Sequence, residues 1–135
     1  MFSHVFIGVS DFERAHAFYV ALFAALPAAR APQLKLLDPD RGWAVWKDAD
    51  RDRPLLIVGK PENGAPHRPG NGQMTAFLAE SRAAVDAGWR AALAAGGSDE
   101  GAPGLRPQYH PHYYGAYFRD PDGNKLCVAC HRPED

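Results

Sequence analysis

The side chains best suited to chemistry gather in one stretch, Tyr113–His131, which reads YYGAYFRDPDGNKLCVACH. Tyr113–Arg119 and Lys125–His131 have the aromatic and apolar character of half-buried strands. Between them, Asp120-Pro121-Asp122-Gly123-Asn124 is a turn: Pro121 presets its own φ, Gly123 accepts φ > 0, and the Asp and Asn side chains can bond nearby backbone. Side chains alternate across a strand, so Leu126, Val128 and Cys130 share one face while Cys127, Ala129 and His131 share the other. With Phe118 opposite Leu126, Tyr117 lies beside Cys127. One face is apolar; the other carries a thiol, a phenol and an imidazole. A thiol becomes a nucleophile when a base or a positive charge activates it, and His4 or His131 could supply that. Cys127 and Cys130 have CxxC spacing, but they point to opposite faces of a strand, which argues against a disulfide and for a structural role.

The remaining histidines are scattered. His16 reads as a partly buried helix residue, His67 as a solvated linker residue, and His110-Pro111-His112 as part of a loop.

Composition narrows the class. The chain has 135 residues with 46% hydrophobic and 23% charged side chains, the profile of one globular domain. A net charge of −1 gives no electrostatic pull toward nucleic acid or an anionic membrane. No apolar run is long enough to span a bilayer, and the N-terminus lacks a signal-peptide pattern. A cytoplasmic protein is expected.

The elements that position these residues follow in order. Phe2–Val9 reads as a strand, and Ser10-Asp11-Phe12-Glu13 as a capping box opening a helix whose apolar stripe runs from Phe12 to Leu26. Pro27 ends it. Strands are expected at Gln33–Asp38, Gly42–Lys47 and Pro54–Lys60, with Trp43 and Trp46 on opposite faces of the middle one. Residues 61–72 (PENGAPHRPGNG) form a linker by composition. A strand at Gln73–Ala79, a helix from Ser81 to about Ala95 and a Gly/Pro loop over Ser98–Pro111, with a short strand near Leu105, precede the final hairpin.

The halves repeat. Asp11 matches Ser81, a shift of 70 (81 − 11), and Val5 then matches Thr75, Ile7 matches Phe77 and Tyr19 matches Trp89. Each half reads strand, helix, three strands. At the same shift Trp43 matches Tyr113 and Ile57 matches Cys127. Val5, Ile7, Val9, Thr75, Phe77, Leu126 and Val128 are expected to face the helices, and His4, Phe6, Met74, Leu78, Tyr113, Tyr117, Cys127 and His131 to face away.

This pattern, with the segments SHVFIGVSDFERAHAFYVALF, GNGQMTAFLAES and YFRDPDGNKLCVACH, resembles the vicinal oxygen chelate superfamily of glyoxalases, bleomycin-resistance proteins and extradiol dioxygenases. The resemblance covers essentially the whole chain. It implies an α+β fold of two βαβββ modules, residues 1–60 and 73–131 within one domain spanning 1–135. The modules would form one cupped mixed sheet with helices on its convex face, often in a homodimer. It also implies a divalent metal held by the first and last strand of each module, and the matching positions are His4, Ile57, Met74 and Cys127. Ile57 cannot coordinate, Met74 is a soft thioether, and Cys127 stands where the family commonly has Glu. The two-His-one-carboxylate iron site of a dioxygenase and the metal and base of a glyoxalase isomerisation are therefore not supplied at these positions.

The expectation is a small-molecule-binding protein of the bleomycin-resistance type with no catalytic metal. Its ligand would meet His4, Phe6, Trp43, Met74, Tyr109, His110, His112, Tyr113, Tyr117 and Cys127. His4 should hydrogen-bond a polar neighbour such as Tyr117, or the ligand. The alternatives are a metal-dependent lyase, isomerase or dioxygenase with altered ligands, or an enzyme using Cys127 with His4. Zinc through His4 and Cys127 stays open, as does a site of His110, His112, His4 and Cys127. A third class is a domain whose cup is filled by packing and which acts by dimerising.

Overall fold

Equal spacing makes two copies of one unit. The structure, a computed structural model, describes residues 1–134. The first unit is β1 (His4–Gly8), α1 (Phe12–Ala24), β2 (Gln33–Asp38), β3 (Trp43–Lys47) and β4 (Leu55–Gly59). The second is β5 (Thr75–Leu78), α2 (Arg82–Ala94), β6 (Ser98–Leu105), β7 (Tyr114–Arg119) and β8 (Lys125–Cys130). The strand orders are β1-β4-β3-β2 and β5-β8-β7-β6, with β1 parallel to β4 and β5 parallel to β8. This is the glyoxalase-like α+β fold. Val5 pairs with Leu56 and Thr75 with Leu126, so the two residues occupy equivalent places, as the shift requires.

The helices start at equivalent caps. The Asp11 carboxylate accepts from the Arg14 N–H at 3.1 Å, and the Ser81 hydroxyl accepts from the Ala84 N–H at 3.1 Å. Ser10 is therefore not the cap, because its own N–H donates to the Asp122 carboxylate at 2.9 Å.

The helix-facing sides of both sheets meet one core. Phe18, Tyr19, Leu22 and Phe23 of α1 are buried in it. Phe23 packs edge-on to Trp46 of the first sheet and Phe77 of the second, and Phe18 lies against Phe118. His16 sits between Phe12 and Trp46.

The Asp120–Asn124 turn locks this core. The buried Asp120 carboxylate accepts from the Tyr19 hydroxyl at 2.7 Å, the Asn124 side-chain amide, and the backbone N–H groups of Asp122 and Asn124. Burial, then the Asp120 charge, push the Tyr19 phenol well up, so it remains a donor.

Three expectations change. The hydrogen-bonded ladder is not continuous from one unit to the other; it divides into two four-stranded sheets. Ser98–Leu105 is an eight-residue edge strand rather than a loop with a short strand. Its Gly101, Pro103 and Gly104 hide it from a propensity reading, yet an edge strand tolerates them where the pairing is bulged. Third, the shift of 70 fails in the middle strands. Ile57 pairs with Val45 and Cys127 with Tyr117, so β3 and β7 align at 72 (117 − 45), and Trp43 matches Gly115 rather than Tyr113. The loop Asp48–Pro54 is two residues longer than Asp120–Asn124, and an even difference preserves which face each residue takes.

Between β4 and β5 there is no strand or helix. His67 in that segment is held rather than solvated: its Nε2 lies 2.8 Å from the Asn124 side-chain oxygen, and its ring covers Gly8. The Asn124 amide in turn donates to the Gly8 carbonyl at 2.8 Å.

Candidate functional site

Alternation along β7 and β8 places Tyr113, Gly115, Tyr117, Lys125, Cys127 and Ala129 on the face turned away from the helices. One row crosses the second sheet there: Ala76, Cys127, Tyr117 and Gly101. The Tyr113 hydroxyl lies 3.0 Å from the Tyr117 hydroxyl and 3.6 Å from the Cys127 sulfur. The Tyr113 ring reaches back across Gly115, where a Cβ would stand 2.8 Å from its Cε1.

This arrangement settles the protonation states. Burial pushes the Tyr113 phenol far up, and its hydrogen bonds to Tyr117 and Cys127 add to the rise. Burial also raises Tyr117. The Cys127 thiol is raised by burial, against the opposing pull of the Tyr113 hydrogen bond and the positive charges of Arg106 and Lys125. At neutral pH the two O–H groups and the buried S–H group are therefore all uncharged. Cys127 has no base beside it, so the thiolate a nucleophile needs is disfavoured. The base expected of His131 is engaged elsewhere, and His4 lies on the other sheet.

The loop after β6 covers one end of this face. Tyr109 packs on Tyr113 with ring centroids 5.0 Å apart, and His110 meets the Tyr113 ring edge-on at 5.7 Å. His110 Nδ1 accepts from the His112 backbone N–H at 3.1 Å, which leaves Nε2 to donate to His131 Nδ1 at 2.8 Å. His112 contributes that backbone group, and its side chain is exposed. Next to this loop Met74, Tyr109, Arg119 and Lys125 line an open cleft of about 580 Å³ with residues 69–73. A smaller space of about 160 Å³ lies along the seam between the sheets, lined by Phe6, Met74, His67 and Asn124 among others.

The other expected site residues sit on the first sheet. Phe6 packs edge-on to Trp43 at 5.3 Å, and the Arg41 guanidinium stacks 3.7 Å above the Trp43 ring. His4 is exposed, and its Nδ1 lies 3.0 Å from the Ser3 hydroxyl; Ser3, not Tyr117, is its partner. Tyr109, His110, Tyr113, Tyr117 and Cys127 are thus brought together, with Met74 at the cleft, whereas His4, Phe6 and Trp43 form a separate group.

Two functional candidates escaped the sequence reading. Arg106 and Lys125 both approach the Tyr117 ring, at 5.5 and 5.7 Å from its centroid. Strand alternation was enough to place Lys125 beside Cys127, but nothing local marks Arg106.

The positions that would hold a metal do not suit one. Ile57 has no donor atom and Met74 offers only a thioether, which leaves His4 and Cys127, on different sheets, as the only usual donors among the four. No three His, Cys, Asp or Glu side chains converge on a possible ion site among the described residues. The alternative group of His110, His112, His4 and Cys127 does not assemble: His110 pairs with His131, and His4 with Ser3.

Residues 1–128 match the family model described as Glyoxalase/Bleomycin resistance protein/Dioxygenase superfamily. Among solved structures, a glyoxalase/bleomycin resistance protein from Albidiferax ferrireducens is 34% identical, with a TM-score of 0.80 over 98% of this chain and 99% of that one. A family enzyme from Burkholderia phytofirmans is similar in fold at 21% identity and TM-score 0.69, covering 96% and 98%. A lactoylglutathione lyase from Agrobacterium tumefaciens is similar in fold at 23% identity and TM-score 0.63, covering 96% and 92%. No curated protein matches the chain.

Proposed function

Since the chain belongs to the Glyoxalase/Bleomycin resistance protein/Dioxygenase superfamily, we propose that it binds a small organic molecule on the open face of its second sheet without a catalytic metal. The observation that carries this reading is an open cleft of about 580 Å³ whose lining residues Tyr109 and Lys125 pack on Tyr113 and Tyr117, two phenols that keep their protons, with Cys127 buried next to them. A few convergent polar groups among aromatic walls, in a space of some 300–1,000 Å³, is the usual composition of a ligand site. Tyr109, Lys125 and Met74 line the cleft, His110 and Arg106 stand against Tyr113 and Tyr117, Phe6 and Trp43 lie on the neighbouring sheet, and His112 holds the loop.

The test has two parts. Elemental analysis of protein purified without a His-tag should find no stoichiometric divalent metal, and His4→Ala should not change the metal content. Metal at one equivalent, lost in His4→Ala, would transfer the reading to a metal-dependent lyase, isomerase or dioxygenase. Saturation-transfer NMR against a small-metabolite library should give hits that weaken in Tyr117→Phe.

We propose further that the two units, residues 1–60 and 73–131 joined by 61–72, act as one domain, because α1 packs on both sheets. The open face of the first sheet exposes Phe6 at 40% and Leu36 at 51%, and Met74 of the second unit is 46% exposed; a homodimer would cover them. Sedimentation at micromolar concentration should show a dimer. Among the described residues no helix is long and apolar enough to cross a membrane. Two free, buried thiols suit a reducing compartment such as the cytoplasm.

A further inference from the structure

We infer that the site on the second sheet selects an organic acid, a flat ring bearing a carboxylate, with the ring against the tyrosines and the carboxylate held by Arg106 and Lys125. The inference rests on the ligand-binding reading above and adds the charge and shape of the ligand.

Two cations share one aromatic ring. The Arg106 guanidinium lies 5.5 Å from the Tyr117 ring centroid and the Lys125 ammonium 5.7 Å from it. Neither forms an ion pair among the described residues. The acids of the neighbouring strand are committed elsewhere: Asp99 accepts from the Trp89 indole N–H and the Gly101 N–H, and Glu100 pairs with Arg119. Two half-buried cations beside Tyr117, with no carboxylate of the protein to offset either, leave positive charge there that attracts an anion. The tyrosine and cysteine groups below cannot neutralise them, because all three keep their protons.

The Arg106 position is built by the backbone around it. Its Nη2 donates to the Ala102 carbonyl at 2.8 Å and its Nη1 to the Leu105 carbonyl at 3.4 Å. It lies over two glycines: a Cβ at Gly104 would stand 2.9 Å from Nη1, and one at Gly101 would stand 3.4 Å from Nη2 and 3.2 Å from Tyr117 Cδ2. Carbonyl anchors hold the guanidinium without discharging it, leaving further N–H donors for a carboxylate. The walls explain the ring. Tyr109 and Tyr113 pack at 5.0 Å beside Tyr117, offering flat apolar faces rather than the nest of backbone N–H groups that favours phosphate.

The experiment compares matched acids and amides. Benzoate and benzamide, phenylacetate and phenylacetamide, and inorganic phosphate are titrated separately, followed by saturation-transfer NMR and tyrosine fluorescence. Each acid should bind about tenfold or more tighter than its amide, as loss of a charge-assisted hydrogen bond implies. Arg106→Gln and Lys125→Gln should each lower the acid-over-amide preference by about that factor while leaving the circular dichroism unchanged. Arg106→Lys, which keeps the charge but loses the fork, should fall between. Amides binding as well as acids, or acid binding indifferent to both substitutions, overturns the inference and leaves the ligand-binding reading standing. Phosphate binding more tightly than either aromatic acid overturns the requirement for a ring. Binding of no member of any pair overturns the inference and the ligand-binding reading together.

Discussion

The same row of the same backbone carries different chemistry in the two units. Across the open face of the first sheet it reads Phe6, Ile57, Val45, Leu36; across the second it reads Ala76, Cys127, Tyr117, Gly101. The first row is bulky and apolar from edge to edge. The second is small at both edges and polar in the middle. Small edges leave room for Arg106 to lie across β6 and for a ligand to reach the tyrosine hydroxyls. Both units also lay an aromatic ring across a glycine, Trp43 over Gly59 and Tyr113 over Gly115. Arg41 then covers Trp43, whereas Tyr109 and His110 flank Tyr113. Under the proposed function the two faces would divide the tasks, the first meeting another surface and the second a polar ligand.

The hairpin turns give the largest expected difference. Asp120 and Asp48 both close turns that follow the third strand of their unit, and each accepts a backbone N–H two residues on. Asp120 is buried with four donors, so Asp120→Ala strands the Tyr19 hydroxyl and should cost about 3–5 kcal/mol in urea unfolding. Asp48 is exposed, and Asp48→Ala should cost under about 1 kcal/mol. Equal losses would remove the distinction between the turns.

Exchanging the rows comes next. Phe6→Ala should cost about 1 kcal/mol, since the ring is partly exposed yet packs on Trp43. Ala76→Phe, on an exposed position beside Cys127, should change stability by less than about 0.5 kcal/mol while blocking ligand binding on the second sheet. Retained binding in Ala76→Phe would move the ligand site off this row.

Alkaline pH should then act on the second sheet and on the buried Tyr19 of α1 rather than on the first sheet. Tyr113, Tyr117 and Cys127 are raised in the folded state above their ordinary values of 10.0, 10.0 and 9.0. Below about pH 9 both folded and unfolded chains keep these protons, and the fold loses nothing. As the pH climbs past 9 the unfolded groups ionise first, so stability falls. Partial solvation of the two phenols limits the size of the fall. The urea midpoint should drop between pH 8 and 10.5, and Tyr113→Phe should drop less. An unchanged slope in that variant would mean the phenol is not held protonated by the fold.

The smallest effect is kinetic. Cys127 and Cys130 are both buried, and Cys127 is held as a thiol. Iodoacetamide at pH 7.5 should label neither until the protein unfolds. Rapid native labelling of Cys127 would restore the nucleophile reading.

Much of this was legible in the chain. Hydrophobic periodicity, the capping signals at Ser10–Glu13 and Ser81, and the Asp-Pro-Asp-Gly-Asn turn are local signals, and they located both helices and every strand but β6, with the first cap one residue off. Strand alternation alone put Tyr117 beside Cys127 and separated Trp43 from Trp46, because the pleat has period two whatever the tertiary fold. Three things were decided only in three dimensions. β6 is a strand because β7 supplies its hydrogen-bond partners, which outweighs the Gly and Pro in its sequence. His110 meets His131, and His67 meets Asn124, across separations of 21 and 57 residues that no spacing rule reports. Arg106 reaches Tyr117 because two glycines on a bulged edge leave it a path. Local chemistry determined which face each side chain takes; the packing of distant segments decided which of those side chains lose water, keep their protons and stand next to an unpaired charge.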